Sequence, residues 1–508
     1  MGFFANADVP VLVAFVVYLL IMLGIGFYFS NKSKKISDYF LAGRGLNSWV
    51  TAMSAQASDM SGWILMGLPG AAYATGMGNY WIAIGLAIGT ILNWAFVAKP
   101  LRRFTEAAGN SITIPQYLQN RFKADSPIVR LVCAVVIFIF FLVYTTSAFV
   151  SGGKLFQVVF NIDSTNETYT KAAVIISALI IVSYTFMGGF NAVAWTDFIQ
   201  GLLMIIAIAA VPITLICSID NFSPDMIANT AKIVEEGQST AGFASLFENR
   251  SASGIISDLA WALGYFGMPH ILVRFMAIKD AKSVKKSAII AIIWVIISLG
   301  AAVLIGILGR VYLDSQGIYL GSAEQELIFI KVVKMLFPGV IAGILLSAVL
   351  ASIMSTADSQ LLVTASAVAN DFFKAVVKKD VSDKTLMWVS RGSVMAISVI
   401  ACILALDPKD SIMGIVSNAW AGFGAAFGPA ILLSLYWKRL TLKGTVAGII
   451  TGAGTVILWD NILHLGGVMY SIVPGFILSI IVTVIVSLID KEPSDEVKEI
   501  FEKAKAIE

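Results

Sequence analysis

The stretch "ASDMSGWILMGLPGAAY" at residues 57–73 sets a carboxylate, Asp59, beside the helix breakers Gly62, Gly67, Pro69 and Gly70, inside a run apolar enough for a membrane. A charged side chain at mid-bilayer costs about 2.5 to 3.5 kcal/mol on insertion scales, so something must offset it. A helix broken near Asp59 to Gly62 frees carbonyls on its first half, suited to a cation, and N–H groups on its second half, suited to an anion. The plainer alternative is a kinked packing helix with Asp59 bonded to its neighbours. A second stretch, "SDLAWALGYFGMPHILVRF" at 257–275, is interrupted in the same manner by Gly264, Gly267 and Pro269.

A third, "LLSAVLASIMSTADSQLL" at 345–362, places Ser352, Ser355, Thr356 and Ser359 at i, i+3, i+4 and i+7. That spacing lines up four hydroxyls on one helix face over a rise of about 10 Å. Hydroxyl oxygens are hard ligands of the kind small cations prefer. Ser352 and Ser359 fit a small-residue seam for close helix packing as well. Asp358 stands beside Ser355 and Thr356, and Asp197 lies in another apolar run. Two carboxylates with a hydroxyl stripe inside a membrane suggest a cation site. Trp63, Tyr144, Trp261, Tyr265 and Phe266 gather near the breaks, where aromatic faces can hold a small organic ammonium; most aromatics in such a chain merely pack. His270 and His464 have no second His or Cys at ligand spacing, so both read as structural. Cys133, Cys217 and Cys402 lie in or at the edge of apolar runs and are expected to be buried thiols, with no disulfide.

The elements that must carry these residues are membrane helices. The chain has 508 residues, 58% hydrophobic and 13% charged, with mean hydropathy +0.85. A soluble globule carries about 25% charged residues. Thirteen apolar runs of spanning length occur near 9–29, 49–74, 79–98, 128–151, 170–188, 192–217, 254–277, 287–309, 338–370, 386–405, 411–436, 444–460 and 469–489. The first has Lys32, Lys34 and Lys35 after it and no basic residue before it, the reverse of a cleaved signal peptide. With the amino terminus outside, 27 of the 35 Lys and Arg residues, Arg274 among them, fall on the inner side. The positive-inside rule expects that asymmetry, and it makes the carboxyl tail cytoplasmic.

No connecting segment exceeds about 35 residues, too short for a soluble catalytic domain of the usual 50 or more. There is no GxxxxGK[ST] phosphate loop, and the "DKT" at 383–385 lacks the glycine and nucleotide domain of an ion-pumping ATPase. The formal net charge of +3 gives no reason to expect a nucleic-acid partner. "NET" at 166 and "NRS" at 249 match glycosylation sequons, patterns short enough to arise by chance. The two interrupted runs, five spans apart and opposite in direction, are the best sequence pointer to the substrate site of a transporter built from inverted repeats.

"SAQASDMSGWILMGLPGA", "TFMGGFNAVAWTDFIQ", "LGYFGMPHILVRFMA", "AGILLSAVLASIMST" and "AWAGFGAAFGP" together resemble the sodium:solute symporter family, in particular its sodium/proline branch, from about residue 10 to 490. The resemblance implies an all-α integral membrane protein with a leucine-transporter-type five-plus-five inverted repeat and flanking spans. Residues 1–44 would form the first span and inner loop, 45–220 the first repeat, 221–253 an outer loop, 254–437 the second repeat, 438–490 the last two spans and 491–508 the cytoplasmic tail. It also implies Na⁺ as coupling ion, held by main-chain oxygens of Ala57, Met60 and Ser352 and the hydroxyls of Ser355 and Thr356, with Asp59 shaping the site. L-Proline would sit among Trp63, Tyr144, Trp261, Tyr265 and Pro269, its carboxylate near Ser61 and Gly62. Asp197 matches the family's aspartate on the sodium release path, and Arg44 its inner-loop arginine. Asp358 and Ser359 depart from the proline branch's pattern, and with Asp197 they offer another cation site. The implied activity is secondary transport across the cell membrane, with no enzymatic step and with a monomer sufficient. Symport of pantothenate, a sugar or sialic acid, or a transporter-like proline sensor, are the alternatives.

Overall fold

The computed structural model describes residues 8–30, 36–163, 166–230, 242–248, 250–377 and 381–507. Lys32, Lys34, Lys35, Lys232, Lys378, Lys379 and the Asn249 of the second sequon lie outside these. Among the described residues the fold is wholly helical, apart from a single parallel bridge between Leu46 and Ile278. In hydrocarbon each backbone polar group must be satisfied within the protein, and helices do this within their own segment.

Among the described residues ten helices are long and apolar enough to cross a bilayer, against thirteen apolar runs in the sequence. The difference arises where runs are divided or joined. Run 49–74 is split into Ser48–Asp59 and Leu68–Thr75, linked by a wide turn at Trp63–Gly67. Run 254–277 is split into Ala252–Leu259, a tight 3₁₀ stretch at Ala260–Phe266, and Pro269–Ala277. Ser48–Asp59 and the pieces of run 254–277 are each shorter than a span, whereas Leu68–Thr75 runs on with run 79–98 as the single candidate span Trp63–Ala107. Runs 170–188 and 192–217 are two helices that meet at Gly189 within Glu167–Ser218, where a φ of 62° and ψ of 179° lie outside helical space, and only Gly189–Ser218 counts among the ten. A Cβ there would also approach the Tyr39 ring to 2.8 Å, so the kink needs glycine twice over.

The breaks follow from local chemistry. Met60 leaves the helix at φ −92°, ψ 80°, immediately after Asp59. Met268 is extended at φ −74°, ψ 106°, and Pro269 begins the next helix, where its missing N–H costs nothing. Both breaks are enclosed by neighbours. In Gly339–Ala375 and Ile412–Tyr436, 83% of the most apolar stretch is buried, against 28% in Val9–Phe29 and 33% in Ile472–Ile489. The first and last helices therefore form the rim, and the broken pair lies within. Cys133, Cys217 and Cys402 are free thiols, but only Cys133 is buried, Cys217 being exposed on the outer flank of its helix.

Close approach of backbones sets the centre of the bundle. A Cβ on Gly89 would lie 2.6 Å from the Ala262 backbone, in the 3₁₀ stretch of the second broken helix. Gly454 has open space around it. Gly89→Val should therefore destabilise the protein by about 1 to 3 kcal/mol, as overpacking does. Gly454→Ala should leave stability at least unchanged, and thermal unfolding in detergent compares the two.

Candidate functional site

The first break and the helix Gly339–Ser366 meet at a set of buried oxygens. Asp59 is wholly buried; one carboxylate oxygen accepts from the Tyr265 hydroxyl at 2.6 Å, while the other has no hydrogen-bond partner. The Asp59 carbonyl accepts from Trp63 Nε1 at 3.1 Å and from the Tyr144 hydroxyl at 3.5 Å. These bonds tie Asp59 to both broken helices and to the long helix Ile128–Val159. On the facing helix, Ser355 Oγ donates to the Ala57 carbonyl at 2.7 Å and reaches the Ser352 carbonyl at 3.2 Å. Thr356 Oγ1 is buried without a partner. Main-chain oxygens of Ala57 and Ser352 thus converge on the Ser355 hydroxyl, and the same two segments carry a hydroxyl, Thr356, and a carboxylate oxygen, Asp59, with spare capacity. Leaving such groups unmade costs about 1 to 3 kcal/mol each. The arrangement can ligate a small hard cation.

Asp197, Asp358 and Ser359 are brought together one helical turn further along, around a residue counted above with the inner basic ones. Arg274 is wholly buried, not at the inner surface. It donates to Asp197 Oδ2 at 2.9 Å, to Ser54 Oγ at 3.1 Å, to the His270 carbonyl at 2.7 Å and to Ser359 Oγ at 2.5 Å. Ser54 Oγ donates to the same Asp197 oxygen at 2.6 Å. Asp197 Oδ1 and Asp358 Oδ2 have no partner. The guanidinium already supplies a cation between these groups. In the sequence, Arg274 ends an apolar run and looks like an interfacial residue; only the folded contact across 77 positions gives it a carboxylate.

The aromatics form a contiguous group over the breaks. Trp63 and Trp261 have ring centroids 6.5 Å apart, Trp261 lies 5.3 Å from Tyr470, and Tyr265 meets Trp420 edge-on at 5.0 Å. Trp420 Nε1 donates to the Trp261 carbonyl at 2.8 Å, which holds the 3₁₀ stretch open. Trp420 and Tyr470 were not singled out from the sequence, since nothing local distinguishes them from packing residues. Phe266 and Tyr144 are buried beside the group, and Tyr144 lies edge-on to His270 at 6.4 Å. His270 itself is buried with no partner on either nitrogen. Ser61 is buried in the break, and a Cβ on Gly62 would meet Ser151 Oγ at 2.6 Å, so the backbone here is closely packed. Pro269 begins the helix after the second break. It lines a cavity of about 20 Å³, with Phe190, Val273, Thr113 and Asp371, large enough for roughly one water.

Arg44 ties the carboxyl-terminal end of the second broken helix to Thr105 and Ser111. Its guanidinium donates to the carbonyls of Met276 at 3.0 Å and Ser111 at 2.9 Å and to Thr105 Oγ1 at 3.2 Å. Burial pushes its pKa down to about 10, and it stays charged at neutral pH. Leu46 N donates to the next carbonyl, Ala277, at 3.3 Å, Arg102 donates to the Ile278 carbonyl at 2.9 Å, and Lys279 N donates to the Leu46 carbonyl at 3.0 Å.

A sequence profile of the sodium:solute symporter family matches residues 39–452. The osmoregulated proline transporter OpuE of Bacillus subtilis is 45% identical over 96% of both chains, and the sodium/proline symporter of Escherichia coli is 43% identical over 98% of this chain and 96% of its own. This chain belongs to the sodium:solute symporter family. The solved structure of a Na⁺-coupled sialic acid symporter, substrate-bound and outward-open, superposes with a TM-score of 0.77 over 96% of this chain and 99% of that one at 21% identity. Mhp1, a nucleobase-cation symporter, gives 0.52 over 92% and 98% at 12% identity. The symporter is thus a multi-pass membrane transporter of a sodium-coupled family, with the leucine-transporter-type fold and no enzymatic step.

Removing one partner of a buried ion pair costs about 3 to 5 kcal/mol. Arg274→Leu in this symporter should lower thermal stability in detergent by that order, and adding Asp197→Leu should recover part of it. A single variant as stable as the wild type would remove the pair's structural role.

Proposed function

We propose that this symporter couples Na⁺ entry to uptake of L-proline by alternating access. The observation that carries the substrate is the likeness at 40–45% identity, over nearly the whole length of each chain, to transporters named for proline. The geometry supports the ion. The carbonyls of Ala57 and Ser352 and the hydroxyl of Ser355 converge beside the unpartnered Thr356 Oγ1. In this reading Na⁺ takes those oxygens together with the Met60 carbonyl, and Asp59, one oxygen free, supplies compensating charge from beside them.

Proline then lies against Trp63, Tyr144, Trp261 and Tyr265, with its carboxylate at Ser61 and Gly62. Pro269 borders the narrow cavity that would widen on release. Asp197, Asp358 and Ser359 serve as an ion path or a second cation site, since Arg274 neutralises one of the two carboxylates, Asp197, and leaves Asp358 unpaired. Arg44 couples the inner ends of the broken helices. The amino terminus faces outside and the carboxyl tail the cytoplasm, in the plasma membrane. Residues 45–220 and 254–437 act as inverted repeats, and the monomer suffices for transport. A proline sensor is the second reading, and accumulation of solute separates it from a symporter.

A potential of 100 mV is worth about 2.3 kcal/mol per charge, and a tenfold sodium gradient adds roughly 1.4 kcal/mol, together enough for roughly a few hundredfold accumulation per ion. In proteoliposomes, labelled L-proline should accumulate under an inward Na⁺ gradient and not when K⁺ replaces Na⁺ or an ionophore dissipates the gradient. Uptake indifferent to Na⁺ would refute the coupling. Asp59→Asn should still insert and fold, yet lose the rise in proline affinity that Na⁺ produces; wild-type sodium dependence in that variant would refute the role given to Asp59.

A further inference from the structure

A groove of about 670 Å³ opens at the inner end of the two broken helices, between Trp49, Trp195, Phe198, Lys279, Ser283 and Lys286. Lys286 Nζ stands 5.9 Å from the centre of the Trp49 ring. Lys279, Lys282, Lys285 and Lys286 fall within eight residues, against one carboxylate, Asp280. Asp280 is already engaged, accepting from Ser283 N at 2.8 Å. The groove therefore presents net positive charge beside three aromatic rings.

Its surroundings place it at the edge of the hydrocarbon. Helix Val284–Ser315 starts here and runs into the membrane with Ile289, Ile293 and Ile296 exposed along one face, at 52%, 56% and 56%. Trp195 and Phe198 stand near the start of the half-helix that follows Gly189, and Trp195 packs near Phe198 with centroids 6.1 Å apart. Trp49 is half exposed at the first turn of Ser48–Asp59. Aromatic rings of this kind sit at headgroup depth, basic pockets between spanning helices take lipid phosphates, and the isoleucine stripe offers a path for an acyl chain.

We infer that this groove is a binding site for the headgroup of an anionic glycerophospholipid, its phosphate held by Lys279 and Lys286 and its glycerol edge against Trp49. The position gives the site a consequence. Ser48 Oγ donates to the Ser283 carbonyl at 3.2 Å, Ser287 Oγ donates to the Ser48 carbonyl at 3.0 Å, and Leu46 bridges to Ile278 next to Lys279. A headgroup spanning Trp49 and Lys279 therefore touches the inner ends of both broken helices at once, and braces them in the arrangement seen here.

The full-length protein, in nanodiscs of phosphatidylcholine mixed with phosphatidylglycerol, tests this through the lipids it retains in native mass spectrometry. Wild type should retain phosphatidylglycerol in preference to phosphatidylcholine. The pair Lys279→Gln with Lys286→Gln should reduce that preference by about 30-fold, two lysines at about 1 kcal/mol each near an anionic surface. The pair Lys438→Gln with Lys443→Gln removes the same charge elsewhere and should keep it. An unchanged preference in the first pair, or an equal loss in both, would overturn the site. Displacement of the retained lipid by soluble glycerol phosphate would show an ion site with no membrane component, and would overturn it as well. Lipid retention is read without transport, so it is independent of the substrate and of the coupling ion.

Discussion

The break at Met60–Gly62 can exist inside hydrocarbon only because protein groups, in place of water, satisfy what it exposes. Asp59 is where that requirement is concentrated. Its carbonyl takes Trp63 and Tyr144, and its carboxylate takes Tyr265, so one residue links the first broken helix to the second and to Ile128–Val159. The remaining carboxylate oxygen and the Thr356 hydroxyl stay unmatched. In the proposed reading, the unmatched oxygens beside converging carbonyls are what a cation would bind. Binding one completes the bonding of the break, and that is a physical means by which an ion can order a substrate site.

A second buried charge system lies a turn away and holds its own cation, Arg274, although Asp197 Oδ1 and Asp358 Oδ2 are left without a partner. Arg274 is bonded to Asp197, Ser54, Ser359 and its own helix, spanning three helices besides its own. Buried pairs of this kind add little net stability over an apolar core, but losing one partner is severe. The arginine lies within a turn of Met276, whose carbonyl Arg44 holds, and of Ile278, held by Arg102. The Asp197–Arg274 pair and the contacts made by Arg44 and Arg102 are therefore joined through one short helix, Pro269–Ala277. Movement of that helix would have to break bonds at Arg274 and at its carboxyl-terminal end.

Much of this was legible in the sequence because the elements are local. The glycines and prolines at 62–70 and 264–269 announce the two breaks, and the spacing of Ser352, Ser355, Thr356 and Ser359 sets them on one face without reference to the rest of the chain. The long motifs carried the family. Two features were not legible, for a common reason. Arg274 reads as an end-of-helix basic residue, and Trp420 as one of several aromatics, until packing brings Asp197 and Trp261 against them across 77 and 159 positions. The division of the apolar runs was blurred likewise: periodicity marks where a chain is apolar, whereas Gly189 and Met268 decide where a helix stops.

The central claim is that the cation sits between the first break and Gly339–Ser366, on the oxygens of Ala57, Met60, Ser352, Ser355 and Thr356. Anomalous diffraction from crystals in which Tl⁺ replaces Na⁺ would locate the ion directly. The account predicts a peak within ligand distance of Ser355 Oγ and Thr356 Oγ1, lost when Na⁺ is added back. A peak instead between Asp197 and Asp358, with Arg274 displaced, would contradict it.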